Sequence, residues 1–135
     1  MKLNTFKKEE RLCNKRLIEQ LFHKGSSFHL YPFRVTFLSS KEITVPAQVL
    51  IAVPKRRFKR AVDRNLLKRR IREVYRVNKQ NLLYEFLNQQ QVKVLFSIQY
   101  IGKEIHDFSF IELKLKEVLF KLQNEYAKLH LGKDN

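Results

Sequence analysis

The chain has 135 residues, 44% of them hydrophobic, with only six Gly plus Pro, which is enough apolar material for one compact domain. Its 28 Lys and Arg against 13 Asp and Glu leave a net charge of +15, which narrows the partner to a nucleic-acid backbone or an anionic membrane surface. Membrane is the poorer choice, because no apolar run approaches the ~20 residues of a spanning helix, and the main cationic segment carries only a short aliphatic stripe without Trp.

Residues 1–6 lack the apolar segment of a signal peptide, and Cys13 stands alone, so no intrachain disulfide is possible and the cytoplasm is the expected compartment. Leu17, Ile18, Leu21 and Phe22 recur at helical spacing, with Gly25 placed as a C-terminal cap, so a first helix is predicted up to Lys24, entered near Asn14 or somewhat earlier. From residue 31 to 38 the pattern alternates: Tyr31, Phe33, Val35 and Phe37 on one face, Arg34 and Thr36 on the other, a half-buried strand. Residues 39–42 form a polar turn, and the run 48–53, continuously apolar after Gln48, reads as a strand inside a sheet, ended by Pro54.

Residues 55–76 follow directly. They contain 11 Lys and Arg and only two acids, Asp63 and Glu73, and so carry +9 of the chain's charge. At about 100° per residue, Asn65, Lys68, Arg69, Arg72 and Arg76 fall on one face of a helix and Leu67, Ile71 and Val74 on the other. Like charges four residues apart, Lys68 with Arg72 and Arg72 with Arg76, destabilise a free helix by a few tenths of a kcal/mol per pair, roughly, which a polyanion would relieve. A solvated surface normally mixes both signs, and this one does not.

Residues 76–91 either extend the basic helix or form a short second one; Leu82, Leu83, Phe86 and Leu87 suit both. Val92, Val94, Phe96, Ile98 and Tyr100 alternate with Lys93, Ser97 and Gln99 in another strand. Residues 102–107 turn the chain, and Ser109 with Glu112 forms a capping box for a last helix bearing Ile111, Leu115, Val118, Leu122, Tyr126 and Leu129, whose aromatics are assigned to the core. The order is helix, two or three strands, basic helix, strand, helix. The expected fold is α+β, a two-layer sandwich of a mixed four-stranded sheet with helices.

No protein-based catalytic site is visible. His23, His29, His106 and His130 are scattered, none lies near Cys13 or an acidic pair at metal-ligand spacing, and no Gly-rich phosphate loop exists among three isolated glycines. Asp63 and Glu73, the carboxylates a two-metal nuclease would need to cluster, sit inside the cationic helix, where capping or ion pairing is their expected role.

The run Ala61-Val62-Asp63-Arg64-Asn65-Leu66-Leu67-Lys68-Arg69-Arg70-Ile71-Arg72-Glu73, preceded by Val53-Pro54-Lys55-Arg56, resembles the signature of the bacterial ribonuclease P protein subunit family: Ala-Val, a variable residue, Arg-Asn, two variable residues, then Lys-Arg and a basic-hydrophobic run. The resemblance implies one RNA-binding domain over residues 1–135, with a left-handed crossover from the 48–53 strand through the basic helix to the next strand. That hand is opposite to the rule followed by about 98% of such connections. It implies a protein that binds the catalytic RNA and the 5′ leader of precursor tRNA and assists removal of the leader, the RNA carrying the chemistry with Mg²⁺ that it mainly holds. The protein alone would be monomeric. The RNA-binding residues so implied are Lys55, Arg56, Arg57, Arg60, Arg64, Asn65, Lys68, Arg69, Arg72 and Arg76. A leader-binding cleft is implied at Phe6, Arg11, Phe22 and Phe33, although Ile18 stands where many members have a further aromatic. Phe58-Lys59-Arg60 stands where many have a shorter Gly-containing turn. Asn65, uncharged on the cationic face, suits a ribose, phosphate or metal-bound water. The rivals are a ribosomal or chaperone-like RNA-binding protein, for which the same charge would serve, and a DNA-reading helix, which would want more Asn, Gln, Ser or Thr on its exposed face.

Overall fold

A computed structural model describes residues 5–131. Helix α1 (Lys15–Lys24) leads into strands β1 (Ser26–Leu30), β2 (Phe33–Ser39) and β3 (Ala47–Ala52). Helix α2 (Ala61–Lys79), a π-helical turn (Gln80–Tyr84) and α3 (Glu85–Gln90) then connect to β4 (Val94–Tyr100), and α4 (Phe108–Tyr126) runs on through a second π-helical turn (Ala127–Leu131). The sheet order is β1-β2-β4-β3, antiparallel except for the parallel β3–β4 pair. This is the expected mixed four-stranded α+β architecture, with α2 and α3 forming the crossover between the two parallel neighbours.

Each local element has an identifiable cause. Asn14 caps α1, its Oδ1 accepting from the Leu17 N–H at 3.1 Å. Gly25 closes that helix through its N–H to the Leu21 carbonyl at 2.8 Å. A Cβ there would lie 2.4 Å from the Leu21 carbonyl oxygen and 2.8 Å from that of Phe37, so only glycine fits the junction.

The main core lies on one face of the sheet. Phe33, Val35, Phe37, Val49, Phe96, Ile98 and Tyr100 pack there against Leu67, Ile71, Val74 and Tyr75 of α2 and Ile111, Leu115, Val118, Leu122 and Tyr126 of α4. On the other face a smaller cluster joins Leu12, Leu17 and Leu21 to Leu95, Leu38 and Leu50, so α1 covers part of that face too. The row His29, Arg34 and Gln99, cross-strand partners in register, carries no apolar cluster.

Several expectations require correction. β1 is a strand of its own, hidden because Phe28 is its one buried residue among Ser26, Ser27 and His29. Tyr31 is outside β2, in the turn with Pro32, and half exposed. β3 is an edge strand, not an interior one. It reads as apolar because α2 covers one face and the N-terminal segment docks on its free edge, where the Leu12 N–H donates to the Val49 carbonyl at 3.0 Å. α4 is capped by Asp107, whose Oδ1 accepts from the Phe110 N–H at 2.9 Å, instead of by Ser109. Its aromatics divide: Tyr126 is buried, whereas Phe108 and Phe120 are exposed, Phe120 by 58%. Residues 76–91 extend the basic helix, with helical backbone through the π turn into α3, until Gln91 adopts φ 57°.

Candidate nucleic-acid interface

Pro54 ends β3, and its carbonyl accepts from the Arg57 and Phe58 N–H groups at 3.2 and 3.3 Å, which turns the chain sharply. Phe58 inserts into the core against the Tyr100 ring, 5.7 Å between centroids. Lys55, Arg56 and Arg57 therefore project from a loop pinned at both ends. The second pin is Arg64, whose Nη1 donates to the Phe58 carbonyl at 2.8 Å and the Lys59 carbonyl at 2.9 Å. Arg64, expected as an RNA ligand, is thus in part a brace. Arg60 lies beside Asp63 at 4.0 Å.

Along α2 the two faces separate as the periodicity predicted. Leu67 and Ile71 are fully buried, with Val74 and Tyr75 beside them, while Asn65, Arg69 and Arg72 are exposed and Lys68 half exposed. Lys68, Arg69 and Arg72 make no ion pair among the described residues. Arg76 does: its guanidinium donates to both Glu73 oxygens, at 3.1 and 2.6 Å, and these bonds hold the Glu73 carboxyl below its usual range against a smaller opposing effect of burial. Arg70 points to the other flank and donates to the His106 carbonyl at 2.5 Å, next to the start of α4.

Phe6 and Arg11 come to the cationic side. Arg72, Phe6, Arg11, Leu12 and Cys13 line a groove along β3 at Val49, Leu50 and Ile51. Phe6 stands edge-on to Tyr75 at 5.5 Å, and the Arg11 guanidinium lies 5.3 Å from its ring centroid. This segment is held from beneath by a buried cluster. The Glu10 carboxylate accepts from the Lys79 ammonium, the Tyr84 hydroxyl and, at 2.9 Å, the Lys7 N–H, and Lys79 also donates to the Thr5 carbonyl.

Phe22 is exposed on α1, as a cleft residue requires, but Phe33 is fully buried in the main core, edge-on to Tyr100 at 6.0 Å. Phe33 presents no surface to a ligand, because its position in the alternation places it on the helix-covered face.

Four groups were missed. His29, Arg34, Gln99 and Lys103 join Pro54, Arg56, Arg57 and Ile101 around one concave site on the sheet's open face, with no acid in its wall. The alternation of β2 and β4 already put Arg34 and Gln99 on the non-core side; what the sequence did not show is that register and the loop after β3 bring them together with Arg56 and Arg57.

Among the described residues no group of three or more His, Cys, Asp or Glu could hold a metal ion. Asp63 lies in an ion pair with Arg60 and Glu73 in one with Arg76, as expected for acids within a cationic helix. The arrangement suits the neutralisation and positioning of phosphates.

A family model described as Ribonuclease P matches residues 6–123. The ribonuclease P protein component of Porphyromonas gingivalis is 35% identical over 116 residues, covering 85% of this chain and 84% of that protein. That of Petrotoga mobilis is 39% identical over 79 residues, covering 58% of this chain and 64% of that protein. Among solved structures, the RNase P protein from Staphylococcus aureus aligns with a TM-score of 0.61 at 25% identity, covering 88% of this chain and 92% of that one. The RNase P protein from Thermotoga maritima has the same fold, with a TM-score of 0.66 at 23% identity, covering 83% and 96%.

Proposed function

Because the chain belongs to the ribonuclease P protein family, we propose that it binds the catalytic RNA of that ribonucleoprotein endonuclease together with precursor tRNA, and assists removal of the 5′ leader. The described residues would act as a single RNA-binding domain. The observation that carries this reading is a one-sided cationic helix, rigidly mounted, in a protein whose described residues offer no cluster of carboxylates to hold catalytic metals.

Two cationic surfaces have distinct roles in this reading. The face bearing Asn65, Lys68, Arg69 and Arg72, continued by Arg11, neutralises backbone phosphates of the catalytic RNA and lowers repulsion between RNA and substrate. The open sheet face, with Arg34, Arg56, Arg57 and Lys103 around His29 and Gln99, receives a single strand, its phosphates on the cations and its bases free to stack on an aromatic such as Phe22. Mg²⁺, held by the RNA, would supply the hydrolytic chemistry; this chain contributes charge and positioning. Among the described residues no helix is long and apolar enough to cross a membrane, and the cytoplasm is the proposed site of action.

The test is reconstitution with the catalytic RNA of its source and cleavage of precursor tRNA at low Mg²⁺. Stimulation by the full chain, with protein alone leaving the substrate intact at any Mg²⁺, is the expected result. A ribosomal or chaperone-like protein would give no specific stimulation in that assay.

A further inference from the structure

We propose that the outer face of α4 is a self-association surface, and that its occupant is a second copy of this chain docked antiparallel about a twofold axis near Lys116 and Glu117. The face differs from the rest of the molecule. In a chain of net charge +15, α4 carries Glu112, Glu117 and Glu125 against Lys114, Lys116 and Lys121 and is neutral. Its charges pair along the helix, Lys116 with Glu112 at 3.9 Å, Lys114 with Glu117 at 4.0 Å and Lys121 with Glu125 at 3.9 Å. Among these pairs stand two bare apolar side chains, Leu113 and Phe120, 55% and 58% exposed. They are seven residues apart and so lie on one stripe, opposite the core stripe of Leu115, Val118 and Leu122.

A polyanion gains nothing from a neutral face, so RNA does not explain this one. A second copy does, because the stripe is self-complementary. An antiparallel pairing centred between residues 116 and 117 sets Leu113 against the partner's Phe120, Lys116 against the partner's Glu117, Glu112 against the partner's Lys121 and Ser109 against the partner's Asn124. Each contact occurs twice, as an isologous interface requires.

The pairing leaves the RNA-binding surface free. Arg70 marks the flank of α2 that faces the start of α4, through its bond to the His106 carbonyl. Arg72, about 200° further round the helix, lines the groove with Phe6 and Arg11 at the edge of β3. One helix face is small beside the roughly 1,200 Å² of a stable interface, and two strongly cationic chains repel. The free chain is therefore a monomer when dilute, as its charge suggests, and pairs where salt or bound RNA neutralises that charge.

Sedimentation equilibrium on the full chain without RNA, at about 0.1 and 0.5 M NaCl, tests this, since added salt shortens the range of the repulsion. The expected result is a reversible monomer–dimer equilibrium that strengthens with salt, in the direction opposite to RNA binding. Phe120→Asp should weaken association about tenfold or more. Lys116→Glu should weaken it by facing two acids across the axis, and Lys116→Glu with Glu117→Lys should restore it, which a merely structural role would not. Circular dichroism establishes that each variant is folded. A chain that remains monomeric at several hundred micromolar in high salt, a dimer indifferent to Phe120→Asp, or a charge swap no better than Lys116→Glu alone would each overturn the proposal.

Discussion

Glu10 and Lys79, separated by 69 residues in the chain, form an ion pair in which both side chains are more than nine-tenths buried. The pair fastens the segment carrying Phe6 and Arg11 to the far end of α2, where the π turn begins. Removing one partner strands the other charge in the core, so Glu10→Ala should cost about 3 to 5 kcal/mol. Glu10→Gln with Lys79→Met should cost clearly less. Urea denaturation of the three proteins measures both.

The same pair sets an acid limb of stability. Burial raises the Glu10 carboxyl, but the bonds from Lys79, Tyr84 and the Lys7 N–H outweigh it and hold the group below its usual 4.5. A carboxyl lowered by folding stabilises fully above its unfolded value and loses that contribution as pH falls through the folded one. The native chain should therefore lose stability below pH 4.5 more steeply than Glu10→Gln, in melts taken from pH 5 downward. Coincident acid limbs would refute the role given to this carboxylate.

Arg64→Ala should cost about 1.5 to 3 kcal/mol, the scale of hydrogen bonds to a charged group, because it frees the Phe58 and Lys59 carbonyls together. Arg64→Lys should recover only part, since an ammonium lacks the fixed fork of donors. Thermal melts show the loss directly, and it would be absent if Arg64 served only as an RNA ligand.

The two faces of α2 should separate in paired measurements of melting and RNA binding. Asn65, Lys68, Arg69 and Arg72 to Ala are expected to leave the melt nearly unchanged, and to weaken RNA assembly by roughly 1 to 3 kcal/mol each. Leu67→Ala or Ile71→Ala should cost about 2 to 5 kcal/mol of stability, with binding lost only as folding is lost.

Glu73 neutralises Arg76, so a gain is expected from removing it. With about five phosphates engaged, log K against log salt should slope near −3.5, and Glu73→Gln, which removes the negative charge beside Arg76, should steepen it by about 0.7. Titrations in a salt series provide the slope, and an unchanged one would exclude Arg76 from the interface.

The dry and cationic sides of α2 were legible because both signals, apolar period and charge, repeat every turn. The strand edge at β3 and the cap of α4 were not, although Asn14 and Gly25 marked the ends of α1. β3 looked interior because a run of apolar residues does not record whether its second neighbour is a strand or a docked segment. Ser109 with Glu112 made a formally valid cap, but Asp107 offered its acceptor first. Phe33 was placed in the cleft by resemblance, while its own alternation with Val35 and Phe37 already put it in the core. The site around Arg34 and Lys103 is made by strand register, which joins residues with no common spacing in the chain.

The bond from the Leu12 N–H to the Val49 carbonyl also bears on how the chain survives before it meets RNA. Ala47 to Ala52 is a stretch without charge, apolar apart from Gln48, of the kind that recruits strands from other molecules when its edge lies open. Here the protein's own leading segment occupies that edge at its midpoint, held by Glu10 and Lys79. A substitution that releases the segment therefore exposes a template for aggregation as well as disturbing the groove, and loss of solubility would precede loss of secondary structure.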